Sequence, residues 1–149
     1  MTARYGHAGV LDSNRKNVHV ERHGAFTQTH DGCLNSMAFV SQGDRVAVLH
    51  AARWDTGSNY TYIDRCPASA LDPEGGSADF VSGVAGEMNE SRSYTVDLQL
   101  PGGIRISNIE IGDLDLSSLR NCDAIIGMDI ISKGKLIVDG KAGTFTFEI

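Results

Sequence analysis

From residue 34 onward the chain alternates short apolar runs with turn residues, the spacing of an all-β protein. Ser36–Ser41 (SMAFVS) and Val46–Ala52 (VAVLHAA) read as two strands joined by a Gln42-Gly43-Asp44 turn. An Asp-Thr-Gly-Ser turn at 55–58 follows, and Asn59–Ile63 returns to strand-like Tyr, Thr and Ile. Residues 66–78 read as a loop, broken by Pro67, Pro73, Gly75 and Gly76. Asp79–Val84 and Ser93–Leu100 form a second strand pair. In the latter, Tyr94, Val96, Leu98 and Leu100 fall on one face and Thr95, Asp97 and Gln99 on the other. Beyond the Pro101-Gly102-Gly103 turn, Ile104, Ile106, Ile109 and Ile111 mark a further strand, Leu114–Leu119 a loop, and Ala124–Ile126 a short buried strand. Met128–Lys133 predicts one short helix stopped by Gly134. Leu136–Val138 and Thr144–Ile149 predict a last hairpin about Asp139-Gly140. Eight to ten short strands with one short C-terminal helix predict a small closed β-barrel.

Residues 1–32 break this pattern. They are polar, carry His7, His19, His23 and His30, and hold only scattered apolar residues such as Val18 and Val20. The segment reads as a flexible or leader-like extension with room for one short strand, ahead of a domain at 33–149. His19, His23, His30 and Cys33 match no compact zinc spacing, so solvated histidines and no metal are the expectation.

At 149 residues the chain has the length of one domain with its own core. The net charge of −6 weighs against nucleic acid as a partner. That charge is uneven: residues 1–71 carry 7 basic and 6 acidic groups, residues 72–149 carry 6 and 13. Cys33, Cys66 and Cys122 are odd in number and lack CxxC spacing, so no disulfide framework is expected. The N-terminus has no apolar signal core, and no run is long enough to span a bilayer. A cytoplasmic, thiol-reduced setting without membrane attachment is the resulting expectation.

The candidate chemistry lies in 51-AARWDTGSNYTYID-64. Asp55 leaves an apolar strand on a loop where Gly57 permits close backbone approach. The Thr56 and Ser58 hydroxyls beside it can fix the loop or the carboxylate. Alone, these residues fit an ordinary Asx-turn capping a strand end better than a catalytic loop. Downstream, 123-DAIIGMDIISKGKLIVD-139 adds an apolar-apolar-Gly segment. No Gly-x-Ser-x-Gly elbow, phosphate loop or HExxH helix is present.

Strand, Asp-Thr-Gly-Ser, strand, glycine-bearing hairpin and Ile-Ile-Gly, in that order, resemble the retropepsin-like aspartic proteases (clan AA) of the bacterial or cellular single-domain type. The resemblance spans about residues 34–149. It implies an acid-protease barrel active as a symmetric homodimer, an aspartic endopeptidase acting on polypeptides without a cofactor. Asp55 then takes the catalytic position. Thr56, Gly57 and Ser58 complete its loop, and Ile125, Ile126 and Gly127 support it from behind. Val81, Ser82, Gly83, Val84, Ala85 and Gly86 take the place of the flap, the hairpin that closes over a bound peptide. Only one Asp-Thr-Gly exists here, and Asp123 and Asp129 stand in different surroundings, so the partner of Asp55 is Asp55 of a second copy. The terminal strand Thr144–Ile149, with Phe145 and Phe147, is the expected interface.

Three positions depart from the viral pattern. Trp54 precedes the aspartate where a small or aliphatic residue is common, and either crowds the pocket or packs into the core. Asn59 and Met128 replace the acidic residue and the Arg that often form a salt bridge. Trp54, Tyr60, Tyr62, Ile63, Val84 and Met88 give the neighbourhood an apolar character suited to an extended peptide, with Tyr60 and Tyr62 read first as strand packing. Two other readings use the same barrel: a non-catalytic interaction module, and a latent protease that needs residues 1–32 removed.

Overall fold

A computed structural model describes residues 19–23, 33–71, 78–82 and 86–149, the strands at 19–23 and 78–82 by their backbone pairing. In chain order the described elements are β1 (His19–His23), β2 (Leu34–Gln42), β3 (Arg45–Trp54), β4 (Tyr62–Asp64), α1 (Arg65–Ala68), β5 (Ala78–Ser82), β6 (Met88–Leu100), β7 (Ile104–Leu114), β8 (Ala124–Ile126), α2 (Met128–Ile131), β9 (Lys135–Asp139) and β10 (Thr144–Glu148). A 3-10 turn at Pro101–Gly103 joins β6 to β7, with Gly102 at φ 82° and Gly103 at φ 81°, a left-handed pair that glycine tolerates.

The strands pair in the order β2-β3-β8-β4-β7-β6, and a further β2–β6 pairing closes the ring into a six-stranded barrel. Closure removes the edges of an otherwise open sheet. Two contacts in the ring are parallel, β3 with β8 and β4 with β7, and the rest are antiparallel. β6 changes partner along its length. Ser93–Leu100 belongs to the barrel, while Met88–Arg92 pairs with β5 in a hairpin that projects from it. The alternation read in the sequence holds, with Tyr94, Val96, Leu98 and Leu100 buried and Thr95 and Gln99 exposed.

The second sheet has three strands in the order β1-β10-β9. Its middle strand buries Phe145 and Phe147 in the core, where their rings meet Trp54 at centroid distances of 5.7 and 4.9 Å. Trp54 is buried, and its Nε1–H donates to Ser36 Oγ at 2.9 Å. Its polar atom is satisfied, so the indole contributes about 2–3 kcal/mol of burial at little polar cost. Of the two alternatives for Trp54, the core one is realised.

Several boundaries differ from the sequence reading. A first helix, α1, sits where a loop was expected, because Asp64 caps it by accepting from the Cys66 amide. β4 begins only at Tyr62, and Asn59 and Tyr60 lie in a bend before it. Tyr60 is 63% exposed, so it is not strand packing, whereas Tyr62 is buried. β6 starts five residues before Ser93, because its upper half is held by β5 rather than by the barrel. The strand expected to Val84 is described only to Ser82, and Val84 lies outside the described residues. The terminal strand is not an edge: β10 has β1 on one side and β9 on the other. Cys33, Cys66 and Cys122 are free thiols. Burial pushes the Cys122 thiol above its ordinary pKa. No helix among the described residues is long and apolar enough to cross a membrane.

Candidate active site

β8 lies between β3 and β4, with Arg53 and Tyr62 both paired to Ile125. This brings the Asp-Thr-Gly-Ser loop, which leaves β3, against the Ile-Ile-Gly segment that ends β8. The Asp55 amide donates to the Ile126 carbonyl at 3.0 Å. Loop and segment are thus stitched together at the residue that carries the candidate carboxylate.

The loop is a tight turn. Ser58 N donates to the Asp55 carbonyl at 3.2 Å, and Gly57 N donates to Asp55 Oδ1 at 2.8 Å. The second bond aims the carboxylate along the loop and leaves it partly exposed. A Cβ on Gly57 would stand 3.1 Å from Asp55 Oδ1, so any side chain there crowds the carboxylate. Thr56 and Gly57 are exposed, while Ser58 is half-buried and donates from Oγ to the Tyr60 carbonyl at 2.7 Å. Ser58 therefore shapes the loop exit.

The support behind the loop is denser than its motif suggests. Met128 N donates to the Ser58 carbonyl at 2.8 Å and Asp129 N to the Asn59 carbonyl at 3.1 Å, so the first turn of α2 holds the loop's exit backbone. Gly127 is packed against that backbone: a Cβ there would lie 2.3 Å from the Tyr60 carbonyl oxygen. Ile126 is fully buried, and Ile125 is partly buried beside it.

Two residues outside the motif complete the clamp. Thr61 Oγ1 donates to Asp129 Oδ1 at 2.7 Å and accepts from Gly127 N at 3.0 Å. Thr61 N donates to Asp129 Oδ2 at 2.9 Å, and Ile130 N donates to Oδ1 at 2.9 Å. Asp129 is consumed by this network. The signals for it in the sequence were an isolated hydroxyl entering an apolar strand and an Asp just after a helix start. Asp123 has a similar duty, accepting from the His50 and Ala51 amides at 2.7 and 3.0 Å. Exchanging Asp129 for Asn places an amide NH2 against the Thr61 N–H or hydroxyl. The expected cost is about 2 kcal/mol, read as a lower melting temperature.

The hairpin expected to cover the site is partly described. Val81 and Ser82 end β5, Gly86 is exposed with φ +81°, and Gly83, Val84 and Ala85 lie outside the described residues. Met88 opens β6 and is exposed, whereas Trp54 and Ile63 belong to the core. Asn59 is exposed, and Met128 packs on the core from its partly buried place on α2.

No family model and no curated protein matches the sequence. Solved structures do. The chain is similar to a retropepsin-like aspartic protease from Rickettsia conorii, with a TM-score of 0.58 and 15% identity over 93% of this chain and 97% of that one. It is also similar to the retroviral protease-like domain of Ddi1 from Leishmania major, with a TM-score of 0.51 and 16% identity over 77% and 87% of the respective chains.

Proposed function

We propose, on the premise of a retropepsin-like fold, that the chain is an aspartic endopeptidase whose active site forms when two copies bring their Asp55 loops together. The carrying observation is the loop: an accessible carboxylate, oriented by the Gly57 amide and backed through its own amide by Ile126. One such loop is half a site. Two carboxylates a few ångströms apart cannot both ionise, so the pair holds one proton. The ionised member takes a proton from water, whose oxygen bonds to the scissile carbonyl carbon. The protonated member gives its proton to the carbonyl oxygen. Collapse of the tetrahedral diol breaks the C–N bond as the nitrogen is protonated, and the shared proton is restored. Neither step needs a cofactor.

In this reading Thr56 fixes one loop to the other. The hairpin 81–86 closes over an extended peptide, and the Gly86 backbone supplies a hinge. An unfolded protein screened between about pH 3 and about pH 7 should be cut somewhere in that range, where one carboxyl of the pair is protonated and the other ionised. The rate should climb faster than linearly with enzyme concentration while dimers are scarce. A strictly linear dependence down to nanomolar protein would count against a site shared between copies.

The latent reading meets one opposing observation. β1 is paired along its full length to β10, so cleavage after residue 32 strips a strand from the second sheet. Comparing the full chain with one starting at Cys33 separates an ordinary extension from a restraining one.

A further inference from the structure

We infer that Arg53 sets substrate choice at this site, by pairing with a carboxylate side chain, Glu or Asp, on a residue that flanks the scissile bond. The inference rests on the protease reading above and adds the substrate class.

Arg53 stands two residues before Asp55. Side chains two apart on an extended strand share a face, about 7 Å from one another. β3 ends at Trp54, but the Asp55 amide still donates to the Ile126 carbonyl, so the strand direction carries on to Asp55. Trp54, between the two, is buried in the core. Arg53 and Asp55 therefore lie on the other, outward side of the strand. Across the ladders Arg53 faces Ile125 on β8 and Asn35 on β2, and all three are partly buried. An extended peptide laid over Asp55 brings a side chain beside its cleaved bond within reach of this cation.

The guanidinium has donors to spare. Nη2 donates to the Arg120 carbonyl at 3.3 Å, which is long for an N–H···O bond. Among the described residues no carboxylate forms an ion pair with Arg53. Asp55 turns one oxygen to the Gly57 amide, and Asp123 spends both of its oxygens on the His50 and Ala51 amides. Arg53 Nε is buried without a hydrogen-bond partner, and so is Oδ1 of Asn35 across the strand pair. Native proteins leave few buried polar atoms in that state, so a polar group of a ligand has a place here. The side of a guanidinium formed by Nε–H and one Nη–H is a fork that a carboxylate accepts from with both oxygens. A water molecule also satisfies Nε, but water does not tell Glu from Gln. Under a two-fold axis one Arg53 stands on each side of the bond, so the carboxylate is expected on either flank.

Two short apolar peptides with Glu or Gln at the centre read this choice. At about pH 6 the Glu side chain is ionised. The wild type should cut beside Glu with a kcat/KM at least about tenfold above that beside Gln, and Arg53→Gln should bring the ratio to within about twofold of one. Arg53→Lys keeps the charge without the fork and should retain only part of the preference. Each ratio is taken within one protein, so a variant that folds poorly loses both rates and leaves the ratio readable. Asp55→Asn allows the same comparison without cleavage. It should bind the Glu peptide at least about tenfold more tightly than the Gln peptide, and adding Arg53→Gln should erase the difference. A wild-type ratio near one, or a ratio that Arg53→Gln leaves intact, overturns the inference. If cleavage then still depends on Asp55, the protease reading survives and only the substrate class falls. If no cleavage depends on Asp55, binding decides. A Glu preference that needs Arg53 keeps the specificity while the protease reading falls, and equal binding of the two peptides overturns both.

Discussion

Replacing Asp55 with Asn is expected to cut peptide hydrolysis by at least about a thousandfold, since in the proposed shared site both copies lose the group that accepts and returns the proton. The loop itself should survive. Gly57 N donates to Asp55 Oδ1, and an Asn side chain still offers a carbonyl oxygen there. The backbone bonds from Asp55 N to Ile126 and from Ser58 N to Asp55 do not involve the side chain. A melting temperature within about 2 °C of the wild type should accompany the loss. That combination separates chemistry from folding. An Asn variant that is inactive because it has unfolded would shift the thermal transition, and one that remains fully active would remove Asp55 from the mechanism.

The second large effect is structural. Gly127→Ala puts a methyl carbon 2.3 Å from the Tyr60 carbonyl oxygen, 2.5 Å from its carbon and 2.9 Å from its nitrogen. All three are backbone atoms of the bend that carries the loop into β4, and none can rotate away. The bend is also fixed from the other side, by Ser58 Oγ on the Tyr60 carbonyl and by the α2 amides on Ser58 and Asn59. The expected cost is about 3 kcal/mol or more, a drop of about 10 °C in melting temperature. Activity should fall with it, because the displaced bend drags the Asp55 loop. Gly140→Ala is the control: nothing lies within 4 Å of a Cβ there, and its change should stay within about 0.5 kcal/mol. Thermal unfolding of the two variants side by side decides whether close approach at Gly127 is what the loop requires.

Much of the barrel was legible because its signal is local. The alternation in Ser93–Leu100 follows from burying one face, and Ala124–Ile126 is apolar because β8 is flanked by β3 and β4. The Asp-Thr-Gly-Ser loop and the Ile-Ile-Gly segment stand out in the sequence, and in the fold Asp55 N donates to Ile126 O between them. What escaped the sequence reading depends on partners far along the chain. α1 exists because Asp64 caps it, and the carboxylate's other oxygen holds the Leu116 amide, more than fifty residues away. Thr61 and Asp129 gain meaning only when α2 folds back onto the loop. β10 looked like an exposed end, yet β1 from the opposite end of the chain covers it. Among the described residues the outer edge of that sheet is β9, read in the sequence as one arm of the last hairpin.

The central claim is that the active site needs an Asp55 from each of two copies. The most direct measurement holds total protein constant and replaces half of the wild type with Asp55→Asn, after the mixture has exchanged subunits. If each site is shared, only wild-type pairs cut, and the rate falls to about a quarter of the starting value. If a single copy suffices, the rate falls only to about a half, and the shared site is contradicted.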